Sequence, residues 1–143
     1  MTKVPPVRSE VEVSETLESV VRRFLAGWET ANSDELAAFF AEDGVFTDGP
    51  SGEYHGVQAI RDRFQYLATI FPAPGIHIKA LVVNGNCVIA ERVDAVEVQG
   101  HSFEIPAAAV FEFDDERRIK GWRDYYDLHS IMEHVTATLS PAD

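Results

Sequence analysis

The hydrophobic period of the chain changes once, near residue 75, and this change constrains the fold more than any other feature. Before it, apolar residues recur every three or four positions, which predicts amphipathic helices at about 10–31, 34–43 and 57–70. After it the period is two, which predicts strands at about 76–83, 87–98, 102–113 and 118–127, with a short helix near 129–138. The segments NGN, QGH and DDER between these strands are typical of hairpin turns.

Helices followed by an antiparallel meander predict an α+β fold. Three N-terminal helices on one side of a strongly curved, mostly antiparallel sheet would form a cone-shaped roll that encloses an apolar pocket. We expect one domain at 9–138, preceded by a loose arm at 1–8 and followed by a tail at 139–143. A further short strand is predicted in VFTD, at 45–48.

Composition narrows the function classes. The formal net charge of -12 argues against nucleic acid or an anionic membrane surface as a partner. The single cysteine, Cys87, excludes an internal disulfide, and its apolar strand predicts a buried, inert thiol. No apolar run in the sequence is long enough to predict a membrane span, and the N-terminal residues lack the apolar segment of a signal peptide. We therefore expect a cytoplasmic protein. The five histidines show no metal-ligand spacing, and we expect no metal.

Two charged residues interrupt an apolar row in the strand at 87–98. Alternation places Val88, Ala90, Arg92, Asp94 and Val96 on one face. A buried carboxylate is costly in an apolar site unless a cation offsets its charge. The pattern therefore favours an inward-facing pair of Arg92 with Asp94.

The last strand repeats this pattern, because Asp124 shares a face with Trp122, Tyr126 and Leu128. Arg92 placed between Asp94 and Asp124 would bind both carboxylates, and the surplus negative charge would leave one carboxyl protonated near neutral pH. A protonated carboxyl beside an ionised one is a general acid beside a general base. The alternative is a structural Arg–Asp pair that fixes strand register, with Asp124 facing solvent at a strand edge.

The segments ERVDAVEV, FEIPAAAVFEF and IKGWRDYYDL resemble strands of the limonene epoxide hydrolase family. That family shares a cone-shaped α+β fold with ketosteroid isomerase, SnoaL-type polyketide cyclases and nuclear transport factor two. The resemblance implies that Asp124 is the general base, Asp94 the general acid and Arg92 the residue that orients both. It also implies one-step attack of water on a small or medium apolar epoxide of secondary metabolism, with no cofactor, in a homodimer.

One segment departs from this family. The family holds its water with a tyrosine and an asparagine as well, and Phe46 and Asp48 stand at those positions in VFTDG. The longer segment AEDGVFTDGPSG resembles the part of ketosteroid isomerase that carries its catalytic aspartate, which implies that Asp48 is a proton-transfer base. Asp48 before Gly49 is also a common turn pair.

Three functions therefore stay open at this point: an epoxide hydrolase, an isomerase or cyclase that uses Asp48, and a non-catalytic module that binds an apolar ligand. Small residues on the strand at 102–113 would leave room for a ligand or allow tight helix packing. For the substrate pocket we predict a wall formed by Phe46, Val96, Ile105, Ala107, Trp122 and Tyr126.

Overall fold

The computed structural model describes residues 15–30 and 32–139. The predicted arm at 1–8, the first part of the predicted first helix and residues 140–143 of the predicted tail lie outside this range. The helices are α1 (Leu17–Gly27), α2 (Ser33–Ala37), α3 (Val57–Ile70) and α4 (Leu128–Leu139). The strands are β1 (Phe40–Asp48), β2 (Glu53–His55), β3 (Gly75–Asn84), β4 (Cys87–Val98), β5 (His101–Phe113) and β6 (Ile119–Tyr126).

The six strands form one open sheet in the order β2-β1-β6-β5-β4-β3. Every neighbouring pair is antiparallel except β1 and β6, which run parallel. Helices pack on this curved sheet, so the predicted α+β cone is confirmed. The three predicted hairpin turns join β3 to β4, β4 to β5 and β5 to β6.

The first helix begins later than its pattern predicted. Thr16 has an extended backbone, and its side-chain oxygen accepts a hydrogen bond from the backbone N–H of Ser19, so it caps α1. The buried face of α1 carries Val20, Val21, Phe24 and Leu25, as the period predicted. The helix ends at Gly27, although its pattern suggested a continuation to 31.

The second predicted helix, 34–43, is wrong over its second half. Asn32, one residue before the predicted cap Ser33, caps α2, and this helix ends at Ala37. The chain then pairs as β1 with β6, where the N–H of Ile119 donates to the carbonyl of Phe39 at 2.8 Å. A Cβ at Gly44 would approach the carbonyl oxygen of Ile119 to 3.0 Å. Strand pairing thus overrides the helix propensity of this segment.

Two apolar clusters flank the inner side of the sheet. The larger one is rich in aromatic rings and packs α1 and α3 against β1, β5 and β6. The smaller one joins Ile131 of α4 to Val96 and Phe103. Cys87 is half-buried rather than buried, because it lies on the opposite face of β4 from Val88. No helix in the described ranges is long and apolar enough to cross a membrane.

Candidate active site

A cavity of about 410 Å³ lies between the inner face of the sheet and helices α1, α3 and α4. Most of its wall is apolar, with the charged side chains grouped on the strands and on α3. All six residues predicted for the pocket wall line it: Phe46, Val96, Ile105, Ala107, Trp122 and Tyr126. The four predicted catalytic residues line the same cavity: Asp48, Arg92, Asp94 and Asp124.

Arg92 binds both carboxylates that the strand pattern placed near it. Its Nε and Nη2 donate to the two oxygens of Asp94 at 2.9 and 3.1 Å. Its Nη1 and Nη2 donate to the two oxygens of Asp124 at 2.7 and 2.9 Å. Arg92 is 5% exposed and Asp124 is 6% exposed, so Asp124 does not face solvent at a strand edge. Each contact is a two-pronged charged pair, which fixes the orientation of both carboxylates.

Strand register explains how Arg92 reaches two strands. Arg92 pairs with Ala107 of β5, and Asp124 of β6 pairs with Ala109 of the same strand. Because β5 lies between β4 and β6, the arginine side chain must pass over it, a distance of about two strand spacings. The methyl side chains of Ala107 and Ala109 leave room for that crossing.

Burial and neighbouring charges shift the pKa values of Asp124 and Arg92. Burial raises the pKa of Asp124, Arg92 opposes this increase, and the charges of Asp94 and Asp48 add to it. Burial alone would lower the pKa of Arg92, but Asp124 and Asp94 outweigh it and the net effect raises this pKa. Arg92 therefore stays cationic, while Asp124 is a stronger proton acceptor than an ordinary aspartate.

Asp48 turns into the cavity although it stands before a glycine turn. It is the last residue of β1 and is 4% exposed. Its Oδ2 accepts two hydrogen bonds from Arg63, from Nε at 3.0 Å and Nη2 at 2.8 Å. Its Oδ1 accepts a hydrogen bond from the hydroxyl of Tyr126 at 2.9 Å. The turn alternative thus describes the backbone at Asp48 and fails for its side chain.

Gly49 lets Tyr126 reach Asp48. Its φ is +48°, and a Cβ there would lie 2.7 Å from Cε1 of the Tyr126 ring. Only glycine accommodates both constraints. The Tyr126 hydroxyl also lies 2.8 Å from the Oγ of Ser51. Burial raises the pKa of Tyr126, Ser51 opposes this increase, and Asp48 adds to it, so the phenol keeps its proton and acts as a donor.

Arg63 is the residue of this site that sequence reasoning missed. The pocket face of α3 carries Arg63, Tyr66, Leu67 and Ile70, at the spacing of one helical face. The pattern that predicted α3 identified its neighbouring core face instead. Three inward carboxylates with one arginine leave surplus negative charge, which a second inward cation would balance, but the charge count does not say which cation it is.

Aromatic side chains form the wall beside Asp48. The rings of Phe46 and Trp122 stack, with centroids 4.4 Å apart and planes 18° apart. Phe46 offers no hydrogen bond to a water. Within the described ranges, two buried side-chain nitrogens lack a partner: Nε1 of Trp28 and Nε1 of Trp122.

The arrangement can move protons. It places a buried base with raised proton affinity, a second carboxyl and a fixed cation around one apolar cavity, which is the equipment of general acid–base catalysis. Among the described residues, no group of three or more His, Cys, Asp or Glu is placed to hold a metal ion.

Comparison with known proteins gives the family and the fold. Residues 21–122 match the family model described as a SnoaL-like domain. A protein with a ketosteroid isomerase-like fold from Catenulispora acidiphila, solved with trimethylamine, is 24% identical with a TM-score of 0.76, over 88% of this chain and 100% of that one. An LEH-like epoxide hydrolase from M. tuberculosis is 23% identical with a TM-score of 0.70, over 84% and 89%.

A third similar structure is the epoxide hydrolase/cyclase-like enzyme SalBIII of pyran ring formation in the polyether salinomycin. It is 17% identical with a TM-score of 0.70, over 79% of this chain and 92% of that one. At these identities the three likenesses show a shared fold.

Proposed function

The chain belongs to the SnoaL-like domain family, and from that premise we propose that it is a cofactor-free epoxide hydrolase. The observation that carries the proposal is the double pairing of Arg92 with Asp94 and Asp124 inside the cavity. An oriented pair of carboxyl groups with one shared cation supplies a base and an acid in fixed positions. Proteins of this fold include an epoxide hydrolase, which makes the reaction class a reasonable expectation.

In the proposed step, the oxygen of a water molecule bonds to one epoxide carbon while the carbon–oxygen bond at that carbon breaks. Asp124 takes a proton from the water, and Asp94 gives a proton to the epoxide oxygen, so the product is a diol. The proton on Asp124 then returns to Asp94 through solvent. Ring strain supplies driving force, and no covalent enzyme intermediate forms.

The cavity supports a small or medium apolar epoxide as substrate. Its volume of about 410 Å³ falls at the lower end of ligand pockets, which span roughly 300–1,000 Å³. Ile105, Val96 and Leu67 belong to its apolar wall. An apolar wall with the charged groups concentrated around Arg92 and Asp48 would direct the reactive ring of such a substrate to them.

The main rival is an isomerase or cyclase in which Asp48 takes a proton next to a carbonyl group. The buried position of Asp48 in the cavity favours it over a simple turn residue. However, the carboxylate already accepts hydrogen bonds from Arg63 and Tyr126, and this occupies most of its acceptor positions. The third alternative is an apolar-ligand-binding module without turnover.

We also propose a homodimer that joins through the outer face of the sheet. Val82, Ile89 and Tyr125 are 60%, 46% and 53% exposed, and strand register groups them with Val110 and Ala108 on that face. Exposed apolar side chains that cluster in this way are typical of a protein–protein contact.

The test of the hydrolase proposal is turnover of a panel of apolar epoxides, such as styrene oxide, cyclohexene oxide and 1,2-epoxyhexane. We expect diol formation, and a single turnover in oxygen-18 water should place the label in the first diol formed. An unlabelled first diol would indicate an enzyme oxygen and a covalent ester. No diol from any epoxide, with proton exchange next to a carbonyl that Asp48→Asn abolishes, would favour the isomerase. Tight binding of an apolar ligand without any turnover would favour the binding module.

A further inference from the structure

Asp48 and Asp124 lie side by side on two neighbouring parallel strands, β1 and β6. They are register partners in the pairing of β1 with β6. Neighbouring strands lie about 4.8 Å apart, and the partners two residues earlier, Phe46 and Trp122, stack with ring centroids 4.4 Å apart. A single water that donates one hydrogen bond of about 2.8 Å to each carboxylate spans such a gap.

The hydrogen bonds of Asp48 leave one direction open. An ionised carboxylate offers about four acceptor positions. Arg63 occupies both positions on Oδ2, and Tyr126 occupies one on Oδ1. One acceptor position on Oδ1 therefore has no protein partner in these contacts, and it belongs to a side chain that lines the cavity.

The charges of the site also divide into two units. Arg63 pairs with Asp48, and these two are neutral together. Arg92 pairs with Asp94 and Asp124, and this group is neutral when it holds one proton. The charge of Asp48 contributes to the raised pKa of Asp124. Loss of Arg63 would leave that charge unbalanced and increase its effect on Asp124.

We propose that Arg63 is a positioning residue, which neutralises and orients Asp48 so that Asp48 accepts one hydrogen of the attacking water while Asp124 takes the other as a proton. This inference rests on the proposed hydrolase function. With both hydrogens of the water directed to carboxylates, both lone pairs of its oxygen stay free, and one of them can bond to the epoxide carbon.

Arg63 is itself held firmly enough for this role. Its guanidinium lies 5.0 Å from the ring centroids of Tyr54 and of Tyr66. Its side chain is 17% exposed, and it projects from the middle of α3. A planar group held between two rings and by two hydrogen bonds that converge on one carboxylate oxygen has little freedom to turn.

The first experiment compares turnover in four variants. Arg63→Gln should lower kcat/KM for the best epoxide by about 10²-fold, since it releases Asp48 from its orientation. Asp48→Asn/Arg63→Gln should recover most of that loss, because no unpaired charge remains. Arg63→Lys keeps the charge but loses the two-pronged geometry, and should fall between Arg63→Gln and the native protein. Arg61→Gln on the same helix removes a surface pair with Asp34 and is the matched control.

The second experiment is independent of turnover. Carbon-13 NMR titration should show that the pKa of Asp124 is higher in Arg63→Gln than in the native protein. The pKa of Asp124 should be lower in Asp48→Asn/Arg63→Gln than in Arg63→Gln. Arg63→Lys should leave it near the native value, because the positive charge is kept. The titratable and charged groups around Asp48 and Asp124 are Arg63 from α3, Arg92 and Asp94 from β4, and Tyr126 from β6.

The outcomes are distinguishable. If no epoxide is hydrolysed, the hydrolase proposal fails, and the titration still decides whether Arg63 balances Asp48. An unchanged titration of Asp124 in Arg63→Gln would overturn the inference, as would a double variant that is no more active than Arg63→Gln. If Arg63→Gln does not fold, Arg63→Lys and the double variant decide the same question.

Discussion

The carboxylates of Asp48 and Asp124 are register partners on two parallel strands, and each is bound by a different arginine. Arg63 reaches Asp48 from a helix, whereas Arg92 reaches Asp124 from a strand two positions away in the sheet. Two buried carboxylates this close would repel each other without these cations. In the proposed mechanism, the separate arginines let Asp48 serve as a fixed acceptor while Asp124 changes its proton state.

The raised pKa of Asp124 makes stability depend on pH. In the native state Asp124 binds a proton more tightly than in the unfolded chain, where its pKa is about 3.9. The stability it contributes is therefore fully present at low pH and is lost as pH rises through the native pKa. Because the neutral amide of Asp124→Asn does not ionise, we expect the melting temperature of this variant, relative to native protein, to rise between pH 4 and pH 8.

Differential scanning calorimetry of both proteins across this range measures the trend. Asp114→Asn is a useful comparison, because hydrogen bonds from Arg118 and Glu116 outweigh burial and lower the pKa of Asp114. The ionised form of Asp114 stabilises the fold, and this stabilisation is fully present above the unfolded pKa of about 3.9. The relative melting temperature of Asp114→Asn should therefore stay nearly flat between pH 4 and pH 8, in contrast to the rise for Asp124→Asn. A relative melting temperature for Asp124→Asn that is flat or falls with pH would contradict the assignment of Asp124 as the group with raised pKa.

The strands of the meander were predictable because their signals are local. Period-two alternation and the turns at Gly85 and Gly100 lie within a few residues of each other, and β4 has the predicted bounds of 87–98. The inward parity of Arg92 and Asp94 follows from the same alternation. The start of β1 was not predictable, because the segment after Ala37 has a helical pattern. Its strand partner β6 lies about eighty residues later in the chain.

Local alternation predicted the part of the site that lies on the meander strands, whereas Asp48 and Phe46 of β1 were identified from the family resemblance. Asp94 is two residues from Arg92, so one strand places both. Arg63 depends on the rotation of α3 against the sheet, and no local pattern fixes that rotation. The contact of Tyr126 with Asp48 depends on the close approach that Gly49 permits. These contacts cross elements far apart in sequence, and only packing brings them together.

The proposed dimer gives a test at the outer face of the sheet. Ile89→Glu places a charge beside Val82 and Val110, its register partners, and should shift the protein to a monomer. Size-exclusion chromatography with light scattering measures the mass. Gln65→Glu on the exposed side of α3 is the control and should keep the native mass. A native protein that is itself a monomer at tens of micromolar would remove the proposal.

Cavity size should set the preferred epoxide. Ile105 lines the cavity next to Asp94, its register partner on β4. Ile105→Ala should raise kcat/KM for a bulky epoxide relative to a small one by about 10-fold, since a difference of one or two methylenes in a pocket is worth that much. Ile105→Phe should change the ratio in the opposite direction. Parallel changes in both variants would mean that Ile105 does not contact the substrate.

The triad should act as a unit. Asp124→Asn removes the proposed base and Asp94→Asn the proposed acid, and general acid–base contributions are typically about 10²–10⁴-fold each, so each variant should lose that much in kcat. Because Arg92 holds both carboxylates, either loss also disturbs the other partner. The double variant should therefore lose much less than the product of the single losses.

Single-turnover rates with one epoxide measure these losses, and circular dichroism checks that each variant is folded. Asp34→Asn, at an exposed pair with Arg61, is the control. Near-native turnover in Asp124→Asn would show that water is activated elsewhere in the cavity, and strictly multiplicative losses would show that Asp94 and Asp124 work independently of Arg92.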